Sequence, residues 1–541
     1  MVKRLGRWLD RNILEVGREM RLSYLPPLMV YLAAGISGLT AIVGTFFVKD
    51  YLGLSAEFLA GLGFWAGIPW ALKMPLGHIV DLIWRFKSGL VWLGASLIAA
   101  SLCIMLGLLA YPASMSRIMS LEAWYILSVL LAPVGYVIQD VVADAMTVEA
   151  VPRLDSEGRP FPEDRLRLMH TTMQTLGRVA IVGGGIIVAL LNILMFSGVE
   201  HMTEAVKIHV YIQIYQVALL IPLVSVAGVT LGGLLKIRES HRLRRLGFSW
   251  KQAWATVQVQ EERPAVNWWI LGGSLVFVVF TLTIGLGNFP FNQEIIFFGS
   301  LGIVLFLISR LVQALEPRAR GVLVGTAIII FVYRAIPTPG PGSTWWMIDK
   351  LHFDQQFLSV LSLISSSLAL GGMFVFRRFM AERSIAYVVG FLTIVTTLLS
   401  LPIIGLFYGL HHWTAAHTGG IVNAHFIALV DTALESPLGQ VAMIPMLAWI
   451  ANSAPANLKA TFFAVMASFT NLALSMSQLG TKYLNQIFIV TREVKAHNTG
   501  AILVSANYRE LGVLLITVSI IGLVLPFVAI LLVKSLGWRS A

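Results

Sequence analysis

Apolar runs long enough to cross a bilayer recur along almost the whole chain, and nothing constrains its fold more. They fall at roughly 26–47, 56–83, 88–111, 121–151, 168–196 and 209–236. After a basic polar segment they resume at 268–288, 292–316, 319–337, 353–376, 384–410, 421–452, 457–489 and 509–536. A span needs about 20 apolar residues, because lipid offers the backbone no hydrogen-bonding partner and a helix satisfies its own. With 57% hydrophobic and 12% charged residues, the chain has too little polar surface to fold in water. The fold class predicted is an all-α polytopic membrane protein of about 14 spans. A net charge of +11 would suggest nucleic acid in a soluble protein; here topology accounts for it, and no nucleic-acid partner is expected.

Charge placement orients the spans. With the N-terminus in the cytoplasm, 27 of the 39 Lys and Arg residues fall on the cytoplasmic side, seven on the opposite side and five within spans. That bias predicts an even number of spans with both termini inside. Residues 1–25 are basic and amphipathic: Trp8, Leu9, Ile13, Leu14 and Val16 lie among Lys3, Arg4, Arg7, Arg11, Arg18 and Arg21. They read as an interfacial segment rather than a signal peptide. The division predicted is a six-helix bundle over 26–236, a basic cytoplasmic linker over 237–265, an inserted hairpin over 266–317 and a second six-helix bundle over 318–541. A 6+6 plan is that of the major facilitator superfamily, whose halves enclose a central cavity.

Ionisable residues inside spans are costly, about 2.5–3.5 kcal/mol each at mid-bilayer, and so mark cavities or partners. The fourth span holds Asp140 and Asp144, four apart on one helix face. Its counterpart in the second half holds Asp431 and Glu435 at the same spacing. These four are the candidates for proton or cation coupling, since an acid shielded from water can take up and release a proton. The basic residues of the spans are the candidates for holding an anionic substrate: Lys73 in the second, Arg178 with Gln174 in the fifth, and Arg334 in the seventh. A guanidinium fork matches a carboxylate. Arg178 serves equally well as a structural partner of Asp140 or Asp144, and both readings stay open.

Gly77, Asp81 and Arg85 follow a G-x-x-x-D-basic pattern at the end of the second span. They read as a gate, with Gly77 permitting close helix approach. Gly183 to Gly185, Gly232 and Gly233 also read as close-packing positions. Trp268, Trp269, Trp345 and Trp346 read as interfacial belt residues. His411, His412, His417 and His425 lack acidic or Cys partners at metal-ligand spacing, so no metal is expected. There is no phosphate loop, no cofactor motif and no nucleophile–base constellation, which points away from an ATP-driven pump and from an enzyme.

Four stretches resemble one family. They are "FFVKDYLGLSAEFLAGLGFWAGIPWALKMPLGHIVD", "QDVVADAMTVEA", "AIPTPGPGSTWWMIDKLHF" and the segment from "VAMIPMLAWIANSAPANLK" to "LGTKYL". Their pattern is similar to that of the folate–biopterin transporter family of the major facilitator superfamily. Lys73, Asp140 and Asp144 match motif positions, whereas Met74 and Lys459 depart from the pattern. The resemblance implies cation-coupled movement of a folate, a pterin or another organic anion across a membrane, a bacterial inner membrane being the natural setting. "QDVVADA" is also similar to the muropeptide and acetyl-coenzyme A permeases, which gives an alternative substrate class. A non-transporting assembly factor on the same fold is a further alternative.

Overall fold

The computed structural model describes residues 20–438 and 459–540. Within these limits residues 72, 84–85, 153, 156, 158, 200–201, 259–267, 288, 314–316, 377–382, 496–501 and 539 are not described. Most of the N-terminal amphipathic segment, part of the linker and the "ANSAPANLK" motif therefore lie outside the described residues.

The described chain is helical except for a short antiparallel ladder, Val494–Lys495 with Ile502–Val504. The first bundle comprises α1 (Leu25–Gly35) and α2 (Ala41–Tyr51), joined by a 3-10 turn; α3 (Ala56–Ala71) and α4 (Lys73–Leu82), which share the second span; α5 (Lys87–Ala110); α6 (Leu121–Ala150); α7 (Glu163–Met195); and α8 (Glu204–Ala218) with α9 (Leu220–Arg245). The inserted hairpin is α10 (Trp268–Leu286) and α11 (Asn292–Val312). The second bundle comprises α12 (Pro317–Arg334), α13 (Pro341–Leu351), α14 (Gln355–Val375), α15 (Ile385–Phe407), α16 (Ala424–Glu435), α17 (Lys459–Ile487) and α18 (Leu511–Ser535). Among the described residues, nine helical stretches are long and apolar enough to cross a membrane. The expected span over 421–452 is described only as far as residue 438.

Local sequence sets where these helices start. Pro26 and Pro27 occupy the first turn of α1, where a missing N–H costs nothing. Ser120, Asp354, Ser384 and Asn423 each cap a helix, accepting from a backbone N–H three residues on. Pro133, Pro402 and Pro526 lie inside helices, a placement that neighbouring spans make tolerable.

The bundles meet along two seams, α3 and α4 with α17, and α7 with α14. For orientation, the basic face is the one at the Lys87 end of α5, and the far face is opposite. Polar ties cross between bundles toward the far face. Lys49 pairs with Asp349 at 2.6 Å, Arg492 donates to the Leu54 carbonyl at 3.1 Å, and Gln486 donates to Glu57 at 2.6 Å. Deeper, Asn471 donates to the Trp70 carbonyl at 3.1 Å. The hairpin leans on the first seam and touches both bundles: Gln293 donates to the Gly61 carbonyl at 3.2 Å, and Glu294 accepts from Lys482 at 3.2 Å and Tyr483 at 2.5 Å. Phe64 and Ile68 of α3, Ile296 and Phe297 of α11 and Leu479 of α17 form one buried cluster there.

Two packing expectations need correction. Trp268 and Trp269 are exposed, as belt residues should be, but Trp345 and Trp346 are buried at 2% and 6% exposure. They fill a core beneath the far face, with the Arg492 guanidinium 4.5 Å above the Trp345 ring. Helix α13 starts at Pro341 and turns Trp345, Trp346 and Leu351 into the core. Gly77 does not mediate a close approach: among the described residues nothing lies within 4 Å of where its Cβ would be, and the same holds for Gly183 and Gly233. The close approach lies at Gly184, where a Cβ would stand 2.7 Å from the Gly35 Cα. Helices α1 and α7 thus touch backbone to backbone.

Gly184→Ala should therefore force α1 and α7 apart, at a cost of about 1–3 kcal/mol for overpacking. Thermal unfolding of the purified chain in detergent should show a lowered midpoint. Gly183→Ala, with open space around it, should show none.

Candidate functional site

The fourth and second spans bring together the acids and the lysine that sequence singled out. Residues 140 and 144 lie one turn apart on α6 and face the start of α4. Lys73 Nζ sits between them, 2.6 Å from Asp140 Oδ2 and 2.7 Å from Asp144 Oδ2. The Lys73 and Asp140 side chains keep 18% and 16% exposure, and that of Asp144 keeps 41%. Burying one ammonium against two carboxylates is tolerable only because each charge has a partner. The other oxygen of Asp144, Oδ1, accepts from the Tyr31 hydroxyl of α1 at 2.6 Å.

Helix α7 closes the site. Gln174 Nε2 donates to Thr147 Oγ1 at 3.2 Å, and Thr147 Oγ1 donates to the Asp144 carbonyl at 2.6 Å. Helices α6 and α7 run in opposite directions, so this bond sets their register. Arg178 stands one turn along α7 from Gln174, opposite the turn of α6 that carries Asp144. It is half-buried and within electrostatic range of Asp140 and Tyr31. Among the described residues it has no hydrogen-bonded or ion-pair partner. Lys73, not Arg178, makes the direct ion pairs with both acids.

The second bundle is built differently. Asp431 and Glu435 share one face of α16, which packs on α14 and α15. Asp431 is 7% exposed, and its Oδ1 is buried with no partner among the described residues. Glu435, a turn further, is exposed and lies in electrostatic range of Tyr333. The repeated acid spacing thus hides an asymmetry, a salt-linked triad in one bundle and an unpaired acid in the other. Arg334 is not grouped with these acids; its Nε donates to the Thr470 carbonyl of α17 at 3.2 Å. Arg85 and the Asp81 side chain lie outside the described residues.

Sequence reasoning missed three groups. Tyr31 is one. A second is Glu149, whose carboxylate bridges Lys87 and Lys236, each at 2.6 Å, tying the ends of α5, α6 and α9 together. The third is the far-face cluster, where Tyr508 donates to Asp349 at 2.5 Å. Burial and the adjacent Asp349 hold the Tyr508 hydroxyl well above the usual phenol range, so it stays protonated as a donor. Burial also lowers the pKa of Arg492, which nonetheless remains a cation. No spacing signal announces contacts between residues so far apart in the chain.

Lys73→Met should leave two close carboxylates uncompensated. Breaking a buried pair costs about 3–5 kcal/mol, and the partial exposure of Asp144 reduces its share. A fall in the detergent unfolding midpoint should be largely reversed in Lys73→Met/Asp140→Asn/Asp144→Asn. An unchanged midpoint in the single variant would remove the compensating role assigned to Lys73.

Comparison with known proteins places this geometry. Solved structures of similar fold include a variant of the peptide transporter POT in complex with sulfate, with TM-score 0.59 and 14% identity over 95% of this chain and 94% of that one. Another is a POT family transporter in complex with 5-aminolevulinic acid, with TM-score 0.56 and 13% identity over 95% and 96% of the two chains. These establish a major facilitator-type helical fold. In sequence, the chain is 24% identical over 472 residues to the folate-biopterin transporter of Synechocystis sp., covering 87% of this chain and 76% of the relative. The BT1 family pattern matches residues 34–536. With that match spanning both bundles, the chain belongs to the BT1 family and is a multi-pass membrane transporter rather than an enzyme.

Proposed function

We propose that this transporter carries a folate- or pterin-like organic anion, coupled to protons or another cation, by alternating access. The observation that carries the proposal is the charge balance around Lys73 in the first bundle. Lys73 and Arg178 supply two positive charges, and Asp140 and Asp144 two negative ones. Arg178 is the cation left to receive a substrate carboxylate, with Gln174 beside it. An arriving carboxylate leaves one uncompensated negative charge in a low-dielectric site, which is costly. A proton on Asp140 or Asp144 restores neutrality. Anion and proton then favour each other's binding, which is coupling in thermodynamic terms. Asp431 and Glu435 offer a second protonation site in the opposite bundle.

The far-face ties fit a state closed on that side, with the basic face as the opening. The bias of Lys and Arg toward that face supports a cytoplasmic location for it and for both termini, in a bacterial inner membrane. Residues 26–236 and 318–541 would rock about the two seams, with 237–265 as the linker. Gly77, Asp81 and Arg85 are proposed to act at the cytoplasmic gate, and Arg334 to line the substrate path from α12.

Proton-driven uptake of folic acid into vesicles tests the coupling. Asp140→Asn and Glu435→Gln should each flatten the dependence on the imposed pH gradient while the protein still reaches the membrane. The coupling scheme fails if both variants keep the wild-type dependence. Arg178→Ala should weaken binding of folic acid, which carries carboxylates, at least tenfold more than binding of the neutral biopterin. Equal loss for both ligands would make Arg178 a structural residue.

A further inference from the structure

We propose that Tyr31 is a positioning residue that keeps Asp144 away from Arg178, and so keeps the guanidinium free for the substrate carboxylate. The inference rests on the role given to Arg178 above. Asp144 is the most exposed member of the triad and therefore the one with room to move. In the structure both its oxygens are engaged, Oδ2 by Lys73 at 2.7 Å and Oδ1 by the Tyr31 hydroxyl at 2.6 Å. The register of α6 and α7, fixed by Gln174 and Thr147, sets Arg178 across from that same turn. A carboxylate oxygen left free next to a guanidinium with no partner among the described residues would take a charge-assisted hydrogen bond, stronger than one from a neutral donor. The Tyr31 hydroxyl removes the free oxygen.

Tyr31 is well held for this task. It is 5% exposed, in a core with Val142, Ala143 and Met146 of α6. Its ring lies on Gly177, where a Cβ would stand 2.9 Å from Cε2. Gly177 immediately precedes Arg178, so the residue that leaves room for the ring lies beside the residue being protected. Helix α1 thereby reaches both the acid on α6 and the backbone beside the arginine on α7.

The test uses the full-length chain in detergent, with folic acid and biopterin as probes and ligand-induced thermal stabilisation as the readout. Tyr31→Phe keeps the ring on Gly177 and deletes only the donor. Its affinity for folic acid should fall about tenfold, with biopterin affinity within twofold of wild type. Tyr31→Phe/Asp144→Asn should regain folic acid affinity, because an amide gives Arg178 no charge to capture. Undiminished folic acid binding in Tyr31→Phe overturns the inference. So does equal loss with both ligands, or a double variant no better than the single one. Arg178→Ala separates the two levels. If it fails to discriminate folic acid from biopterin, the reading of Arg178 itself falls. If it discriminates while Tyr31→Phe does not, only the positioning role falls.

Discussion

A lysine ammonium held in the membrane interior needs compensating charge, and the first bundle is arranged around that need. Lys73 enters at the start of α4, and two carboxylates one turn apart on α6 meet it at 2.6 and 2.7 Å. Each partner depends on the others, since removing one leaves a charge that lipid and protein cannot solvate. Tyr31 and the Thr147–Gln174 link extend the same network to α1 and α7. Helices α1, α4, α6 and α7 are thereby fixed relative to one another by polar contacts, with apolar packing filling the space between.

Among the described residues, the second bundle carries no comparable cluster of ion pairs. Asp431 is buried with one oxygen unpartnered among the described residues, and Arg334 is committed to a backbone carbonyl. What joins the bundles lies elsewhere, in the Lys49–Asp349 pair, the Arg492 contacts and the hairpin that touches α3 and α17. The shared acid spacing therefore does not extend to shared contacts: among the described residues, Asp140 and Asp144 meet a lysine, and Asp431 leaves one buried oxygen unpartnered.

Much of this was legible from sequence, for physical reasons. Apolar runs give spans because the bilayer leaves the backbone few options, so the helical architecture was readable. The spacing of Asp140 and Asp144 placed both on one face, and Lys73 stood out as a charge in an apolar run. The partner assignment was not readable. Arg178 stood as the structural partner open to the acids and Lys73 as a candidate substrate ligand, and only the packing of α4 against α6 put Lys73 between the two carboxylates. Trp345 and Trp346 misled because aromatic pairs near span ends usually sit at the interface, whereas α13 turns them into the core. Gly77 misled because a glycine in a motif need not have a neighbour. Tyr31 was invisible: its partner is 113 residues away, and one tyrosine in an apolar span has no periodic signature.

The contact between Gly35 and Gly184 has a mechanical meaning. A junction made only of main chain has no rotamers to exchange and no side-chain slack to take up. Helices α1 and α7, which carry Tyr31 and Arg178, are clamped there like the arms of a caliper set to one width. Such a gauge resists widening. Along the seams between the bundles side chains meet instead, as Gly63 faces Gln478 and Gly185 faces Ser366, and there slip costs less.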